Sequence, residues 1–545
     1  MRLLDSFPSN FKPNKSQVDL ITSIETAFDE GFKFVVCSAP TGSGKSFISK
    51  TLGNTSNPPT DMFKDLVNSY RIFKQNNLGG YQDEEDANMQ EPFGAFALTI
   101  TKALQDQYKE LFDDVDVLKG KSNYQCTYDT NFTVENAPCV HIKSLKESCC
   151  KQNSCTYYAA KNKAILSTFA TLNYNMFFAL PNHVKRKQYL ICDEASELED
   201  QLVKEFSCSI NFEMLKKATV VVRPFPGDDN YGHVGRWINM LCQDTAERVE
   251  EIRDILTKRL SKLTPLAQGE KKNELSLLLN LHSKLRMIID TWHDSEYLFE
   301  RFPKGINLTP LKVDQLASHL FKCADKVILM SATIIDPYNF CKTLGIDKYK
   351  YIEADSTFDP KKAPIYVNTK VKLNYSNLNA NLPVIVSQIK KICKHHEHEK
   401  GLIHTQTNTI TKYLQDNITD DRMLFREPGI RNEEILEKHY SSNKPTVMAS
   451  PSMSHGVDLK DDLARFQIII KAPYLPTNDK RVSRMMKLDS SWYMNKMLSS
   501  FIQSCGRGIR SGKDHCVTYI LDAAIVECIV KNKNKIPKYF LDRFV

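Results

Sequence analysis

The sequence lacks the long hydrophobic runs of a membrane protein. No run of eighteen apolar residues occurs among its 545 residues, so no transmembrane helix and no membrane partner are predicted. The segment from Met1 to Pro8 holds too few apolar side chains for a signal peptide, and no internal repeat of fixed period is present. Hydrophobic residues at 41% and charged residues at 25% are typical of a globular protein, which we expect to be cytoplasmic.

The sequence also lacks a paired C-x-x-C motif near its cysteine-rich segment. Fifteen cysteines without a signal peptide argue against a disulfide framework and for free thiols or metal ligands. Five of them fall within thirty residues: Cys126, Cys139, Cys149, Cys150 and Cys155. Four thiolates could hold an iron–sulfur cluster or a zinc ion, although this spacing disfavours a zinc ribbon. Cys149 and Cys150 are alternatives for one of the four ligand positions. The competing interpretation is that all five are reduced structural cysteines.

The clearest motif is a phosphate-binding loop that follows an apolar run at residues 32–37. Its residues are Ala39, Pro40, Thr41, Gly42, Ser43, Gly44, Lys45 and Ser46. The two glycines allow the backbone N–H groups to surround phosphate oxygens at a helix N-terminus. Lys45 would reach the β and γ phosphates, and the Ser46 hydroxyl would ligate magnesium. The apolar run before the loop disfavours the alternative of a chance surface turn.

Two further segments carry the chemistry expected of an ATPase. Asp193 and Glu194 follow a short apolar run at residues 189–192, so Asp193 could hold magnesium and Glu194 could deprotonate the attacking water. Gln503, Arg507 and Arg510 occur, with Gly506, at offsets that share one face of a helix. Two guanidinium groups suit a triphosphate, and the alternative is a basic surface helix.

Two weaker signals follow other apolar runs. Gly456 permits close approach of a nucleotide, and Asp458 could bond a ribose hydroxyl or an arginine. Three small residues, Ser331, Ala332 and Thr333, follow the run at residues 326–330. The net charge of +8 is compatible with nucleic acid but is weak evidence alone.

Strand and helix patterns alternate in two blocks of the chain. This alternation predicts two parallel-sheet domains in an α/β fold. Helical periodicity without many β-branched residues predicts a helical insert at residues 235–300.

Taken together, these segments resemble the iron–sulfur DNA helicases of the XPD/DinG type in superfamily two. The phosphate loop, Asp193-Glu194 and the 503–510 segment match motifs I, II and VI, and Gly456 and Asp458 lie in motif V. Pro13 and Gln17 match the motif that contacts adenine. The segments around Cys126 and Cys155 resemble those of the first and last cluster ligands.

This resemblance implies two RecA-like motor domains, the first interrupted by an iron–sulfur domain and a helical arch. The expected boundaries are 1–115, 168–234 and 301–345 for motor domain 1, 116–167 for the cluster domain, 235–300 for the arch and 346–545 for motor domain 2. The implied cofactors are ATP, Mg²⁺ and a [4Fe–4S] cluster held by Cys126, Cys139, Cys149 and Cys155.

The implied activity is 5′ to 3′ movement on single-stranded DNA and ATP-dependent unwinding of forked duplexes, by a monomer. The alternatives are an RNA or RNA–DNA hybrid helicase, and a nucleic-acid-binding accessory protein with a vestigial ATPase. Ser196 stands where the family usually has histidine, so coupling of hydrolysis to DNA could differ. The compact cluster segment and arch suggest a minimal, phage-like version, in the cytoplasm of a bacterial or phage-infected cell.

Overall fold

The structure is a computed structural model that describes most of the chain. The described residues are 2–40, 42–55, 92–140, 142–151, 155–227, 230–258, 264–356, 358–367, 371–374, 376–426, 432–451, 459, 461–508 and 514–545. Four predicted site residues, Thr41, Gly456, Asp458 and Arg510, lie outside these ranges, as does the side chain of Cys150.

The described residues form three β-sheets. Their strands are β1 (Phe34–Ser38), β2 (Ala95–Thr99), β3 (Asp116–Leu118), β4 (Phe169–Asn173), β5 (Lys187–Asp193), β6 (Cys208–Asn211), β7 (Tyr297–Phe302), β8 (Gly305–Pro310), β9 (Ala324–Ser331), β10 (Tyr349–Glu353), β11 (Ile365–Val367), β12 (Gly401–His404), β13 (Met423–Phe425), β14 (Val447–Ser450), β15 (Phe466–Ile469) and β16 (Val517–Ile520).

Two of the sheets are parallel and define two lobes. The first has seven strands in the order β10-β1-β9-β5-β2-β4-β3, and the second has six in the order β11-β16-β15-β12-β14-β13. Because their central strands are apolar along most of their length and buried on both faces, the sheets need helices on each side. We call each sheet with its flanking helices the first and the second lobe. The predicted pair of RecA-like parallel sheets is confirmed.

Helices connect and cover these strands. Those of the first lobe and its inserts are Lys15–Asp29, Lys45–Asn54, Lys102–Leu111, Lys143–Lys151, Thr156–Leu166, Tyr174–Ala179, Leu198–Phe206, Phe212–Lys217, Tyr231–Lys258, Pro265–Asp290, Leu316–Phe321 and Pro337–Thr343. Those of the second lobe are Leu378–His395, Asn408–Asn417, Asn432–Ser441, Lys480–Leu488, Ser490–Cys505, Ala523–Lys531 and Lys538–Leu541. None of the described helices is long and apolar enough to cross a bilayer.

The helical insert contains two long helices that pack along each other, Tyr231–Lys258 and Pro265–Asp290. Their apolar faces share a core with a small antiparallel sheet of order β6-β8-β7. The sequence prediction did not include this sheet. The end of the region expected to be helical, at Tyr297, is already the start of β7.

One strand lies in a different sheet from the one expected. The second motor domain was expected to begin at residue 346, but β10 pairs in parallel with β1 of the first sheet. The first sheet therefore extends past that boundary, and residues 354–364 join the two lobes. The position of β10 is determined by its pairing with the buried strand β1. The local sequence of β10 does not indicate which strand it pairs with.

Candidate functional site

Three adjacent strands end at one edge of the first sheet and carry the predicted site residues. Strand β1 pairs with β9, which pairs with β5. In this register Ser38 is opposite Ser331, and Met330 is opposite Asp193. The carboxyl ends of parallel strands are where open α/β sheets bind ligands, so the phosphate loop and the acidic pair are brought together there.

The phosphate loop has the left-handed glycines that its sequence predicts. Gly42 and Gly44 have φ angles of 80° and 83°, and Gly44 caps the helix Lys45–Asn54. A Cβ added at Gly44 would lie 2.0 Å from Nε2 of Gln17. Ser43 Oγ is buried without a hydrogen-bond partner among the described residues, which suits a loop built to contact an anion.

Gln17 lies beside this loop as expected from the resemblance. Its Oε1 accepts a 2.9 Å hydrogen bond from the backbone N–H of Asn14, whose side chain caps the same helix. This capping box fixes the glutamine, and its amide nitrogen faces Gly44.

Lys45 and Glu194 meet across the edge of the sheet. The Lys45 Nζ lies 3.5 Å from Oε1 of Glu194, and Ser331 donates a 3.3 Å hydrogen bond to Oε2 of the same carboxylate. Glu194 has a φ of 52°, an uncommon left-handed conformation for a residue other than glycine. Such local strain at the end of a strand is typical of functional positions.

Three hydroxyl groups extend this arrangement. Ser196 and Ser331 are joined by a 2.9 Å hydrogen bond between their Oγ atoms, and Thr333 donates to Ser196 Oγ at 2.9 Å. The serine that replaces the usual motif II histidine is thus bonded to both hydroxyls of the 331–333 segment. The sequence alone gave no signal for this network.

Asp193 is buried next to the phosphate loop. Its Oδ1 accepts from the backbone N–H of Glu194 at 3.0 Å, and Tyr108 donates to its Oδ2 at 3.5 Å. Burial raises the pKa of Asp193 to about 6, although Lys45 opposes that shift. Tyr108 also bonds the side chains of Ser46 and Ser49, so the two predicted magnesium ligands, Ser46 and Asp193, share one neighbour.

The second lobe contributes Gln503 and Arg507, but not from one continuous helix. The helix Ser490–Cys505 ends before Arg507, and Gly506 follows it as the cap. The prediction that Gln503 and Arg507 share a helical face is therefore wrong, whereas Arg510 lies outside the described residues. Glycines flank Arg507, and the chain packs closely there, since a Cβ at Gly508 would lie 2.4 Å from Cys516 Sγ.

One cavity joins the two lobes at these residues. Its volume is about 100 Å³, and it is partly open to solvent. The first lobe supplies Pro40, Glu194 and Thr333 to its wall, and the second supplies Gln503 and Arg507. The Gln503 Oε1 atom is buried and has no hydrogen-bond partner among the described residues. We call this cavity the cleft.

Two hydrogen bonds link the 331–333 segment to the second lobe. Tyr539 donates to the Ala332 carbonyl at 2.6 Å, and Ser499 donates to the Thr333 carbonyl at 3.1 Å. Sequence reasoning missed both residues because each lies more than 160 positions from its partner.

A second cavity lies in the cysteine-rich segment. Cys126, Cys139, Cys149 and Cys155 all line it, and the cysteines of the described ranges form no disulfide. Burial raises the pKa of Cys139, and the other three thiols raise it further. In the part of the chain that is described, however, no set of three or more His, Cys, Asp or Glu side chains is arranged around a single metal ion.

The comparisons with known proteins agree with this architecture. Residues 402–541 match a family model described as the Helicase C-terminal domain. An XPD helicase structure superposes with a TM-score of 0.61 at 15% identity, covering 96% of this chain and 98% of that chain. The chain has the fold of an XPD helicase. The Xpd4 structure of S. tokodaii gives a TM-score of 0.54 at 15% identity, with 97% and 99% coverage.

A structure of XPD in its apo form gives a TM-score of 0.56 at 15% identity, covering 95% of this chain and 98% of that chain. No curated protein sequence matches this one. The expected resemblance to XPD-type helicases is confirmed for the fold, and it extends over nearly the whole chain.

Proposed function

We propose that this XPD-type fold is an ATP-dependent DNA helicase that moves 5′ to 3′ on single-stranded DNA and opens forked duplexes. The observation that carries the proposal is the cleft, where Glu194, held by Lys45, and Arg507 line one cavity from opposite lobes. A triphosphate bound between them would contact both lobes at once. Hydrolysis of such a ligand changes the contacts between the lobes, as a motor requires.

The residues of the cleft divide the chemistry among them. The N–H groups of the glycine loop and Lys45 bind the β and γ phosphates, and Glu194 accepts a proton from the attacking water. Asp193 and Ser46 would hold Mg²⁺, which would neutralise charge on the phosphate oxygens. Arg507 stabilises the charge that spreads over the transferred phosphoryl group. Arg510, outside the described residues, is proposed for the same role.

Contact with nucleic acid is proposed at the helix Lys102–Leu111 of the first lobe. Thr101 caps it by accepting from the Leu104 N–H at 3.3 Å. Lys102, Gln107 and Lys109 are exposed on its surface. A backbone-binding surface of this kind does not itself distinguish DNA from RNA, so the experiment below includes both.

The deciding experiment is strand separation on 5′-tailed and 3′-tailed DNA and RNA duplexes with and without ATP. The wild type should unwind 5′-tailed DNA, and Lys45→Ala should lose unwinding and ATP hydrolysis at least a hundredfold. Lys412→Ala is the matched control, because Lys412 is exposed and paired with Asp416 on the second lobe. Unwinding that survives in Lys45→Ala, or that occurs only on RNA, would contradict the proposal.

We also propose that the cysteine cavity holds a [4Fe–4S] cluster. Four thiols from four separate segments line it: a loop, a short 3₁₀ turn at Pro138–Val140, the helix Lys143–Lys151 and the start of the helix Thr156–Leu166. A cluster bound by all four would cross-link these segments. The free thiols suit a reducing cytoplasm. We expect the protein to act as a monomer.

This second proposal is tested by purification without oxygen. The wild type should be brown, with about four irons and four sulfides per chain. Cys126→Ser and Cys155→Ser should remove the colour, whereas Cys323→Ser, which changes a thiol outside the cavity, should keep it. A colourless wild type with one bound zinc would contradict the cluster.

A further inference from the structure

The cleft contains a buried arginine that none of the motifs includes. Arg543, which follows the helix Lys538–Leu541, is 8% exposed and lines the cleft together with Glu194, Gln503 and Arg507. Its guanidinium packs against the ring of Phe540, 5.3 Å from the centroid. A charged side chain is therefore held in the wall of the proposed nucleotide site.

The hydrogen bonds of Arg543 go to backbone carbonyls only. Nε donates to the Ala363 carbonyl at 2.7 Å, and Nη2 donates to the Cys505 carbonyl at 3.2 Å. These two bonds hold the guanidinium by one edge. The remaining nitrogen, Nη1, makes no hydrogen bond within the described residues.

Three other half-buried or buried arginines of the described residues each have a carboxylate partner. Arg481 pairs with Glu199 at 2.5 Å, Arg465 with Asp514 at 2.7 Å and Arg422 with Asp420 at 3.4 Å. No carboxylate in the described ranges forms an ion pair with Arg543, including Asp359 and Glu194, which line the same cavity. Burial accordingly lowers the pKa of Arg543.

A buried cation without a counter-ion is costly unless an anion comes to it. Guanidinium groups match phosphate oxygens in charge and in the direction of their N–H groups. Arg543 also lies next to the elements that would hold the end of a triphosphate, since Cys505, whose carbonyl it binds, is two residues before Arg507. The anion that fits this position is a phosphate.

We propose that Arg543 is a further phosphate-binding residue of the cleft, which contacts the terminal phosphoryl group of ATP or the inorganic phosphate released from it. This inference rests on the proposed ATPase function. It adds a cationic contact from a segment more than thirty residues beyond the 503–510 motif.

The test compares Arg543→Gln and Arg543→Lys with the wild type. ATP and ADP affinities are measured by calorimetry, and inhibition of DNA-stimulated hydrolysis is measured with added inorganic phosphate. Losing a charge-assisted hydrogen bond should weaken ATP binding about tenfold or more in Arg543→Gln. ADP binding should change less than twofold, because ADP lacks the terminal phosphoryl group. Arg543→Lys keeps the positive charge but lacks the paired N–H donors of a guanidinium, so it should lose less ATP affinity than Arg543→Gln.

The two sources of phosphate give different results. A loss confined to ATP affinity indicates the terminal phosphoryl group, whereas weaker phosphate inhibition at unchanged ATP affinity indicates the released ion. Either result supports the proposal. Unchanged values for both ligands in folded Arg543→Gln and Arg543→Lys, even with a lower melting temperature, would overturn it and leave Arg543 a structural tether.

The matched control is Arg422→Gln. Arg422 also donates to backbone carbonyls, those of Cys393, His396 and Glu397, but it lies outside the cleft. This variant should lose stability without a change in either affinity. A wild type that neither binds nor hydrolyses ATP would overturn the proposed function together with this inference. A wild type that does both, beside an indistinguishable Arg543→Gln, would overturn the inference alone.

Discussion

Glycine conformation decides whether the phosphate loop can form. Gly44 and Gly31 have nearly equal positive φ angles, 83° and 81°. A Cβ at Gly44 would overlap the side chain of Gln17, whereas nothing lies within 4 Å of one at Gly31. An alanine at Gly31 would therefore add backbone strain alone, whereas an alanine at Gly44 would add the same strain and also displace Gln17 beside the phosphate loop.

We expect Gly44→Ala to weaken ATP binding at least tenfold, because both the loop backbone and Gln17 must shift. Gly31→Ala should cost only about 1 kcal/mol of folding stability and leave ATP affinity unchanged. Calorimetric titration with ATP, beside a melting curve for each variant, measures both effects. Equal ATP affinity in Gly44→Ala and the wild type would refute this account of the loop.

Ser196 is the residue at which the acidic motif departs from the pattern that the sequence otherwise resembles. Its hydroxyl bonds Ser331 and Thr333, and the Thr333 carbonyl accepts from Ser499 of the second lobe. A short chain of hydrogen bonds thus runs from the acidic motif to the other lobe. A serine can serve here because its neighbours are hydroxyl groups within 3 Å.

We expect Ser196→Ala to lower the DNA-stimulated rate of ATP hydrolysis about two- to tenfold, the effect of losing a neutral hydrogen bond. Ser207→Ala is the control, since the Ser207 hydroxyl bonds only the Val203 carbonyl at a helix end. Steady-state hydrolysis with saturating single-stranded DNA measures this effect. A stimulated rate equal to that of the wild type would show that the network is not needed for coupling.

At the scale of elements, the lobes also meet through a buried carboxylate. Glu199, on the helix Leu198–Phe206, is 5% exposed. It accepts from Arg481 at 2.5 Å and from Trp492 Nε1 at 2.9 Å, and it pairs with Lys496 at 2.9 Å. All three partners belong to the second lobe, so this cluster holds two helices of that lobe against the first.

We expect Glu199→Gln to destabilise the protein by about 3 to 5 kcal/mol, because it leaves the buried Arg481 without its carboxylate, whereas Lys496 keeps its ion pair with Asp200. Glu213→Gln is the control: its partner Lys304 is exposed, and such pairs contribute less than about 1 kcal/mol. Urea denaturation of both variants measures the difference. Equally small losses of stability in the two variants would mean that contacts other than the Glu199 cluster hold the lobes together.

The same carboxylate predicts a pH dependence. Burial alone would raise its pKa, but Lys496 and Arg481 outweigh burial and lower the pKa of Glu199 to about 2. Since the folded pKa lies below the usual value of 4.5, the unfolded chain binds the proton first. The stabilisation is present above about pH 5 and is lost as the pH falls towards 2. Between pH 5 and pH 3 Glu199→Gln should lose less stability than the wild type.

The helices and strands also show which parts of the fold and the site could be predicted from the sequence. The two parallel sheets form as the alternation of strand and helix patterns predicts, and Lys45, Asp193 and Glu194 meet because each lies at or just after the end of a strand of one parallel sheet. These predictions use local patterns. The pairing of β6 with β8, the pairing of β10 with β1 and the hydrogen bond from Arg543 to the Ala363 carbonyl join residues about 95 to 315 positions apart, and such pairings leave no periodicity to detect.

At the scale of the whole molecule, the affinity of the proposed nucleic-acid contact for single-stranded DNA should depend on charge. The chain carries a net charge of +8, and neutralising about five phosphates of a single strand gives roughly a hundredfold loss of affinity between 50 and 200 mM salt. Fluorescence anisotropy with labelled single-stranded DNA measures this. ATP affinity in the same buffers is the control, and DNA binding that ignores salt would contradict a backbone-tracking groove.

The order of strands in the first sheet has a consequence for synthesis on the ribosome. Strand β1 lies between β9 and β10, which are made some 290 to 310 residues later. At roughly 5–20 residues per second, its apolar edges wait about 15–60 s for their neighbours. During that interval the nascent chain exposes a hydrophobic strand, so its yield in the cell should depend on chaperones that shield unfinished polypeptides.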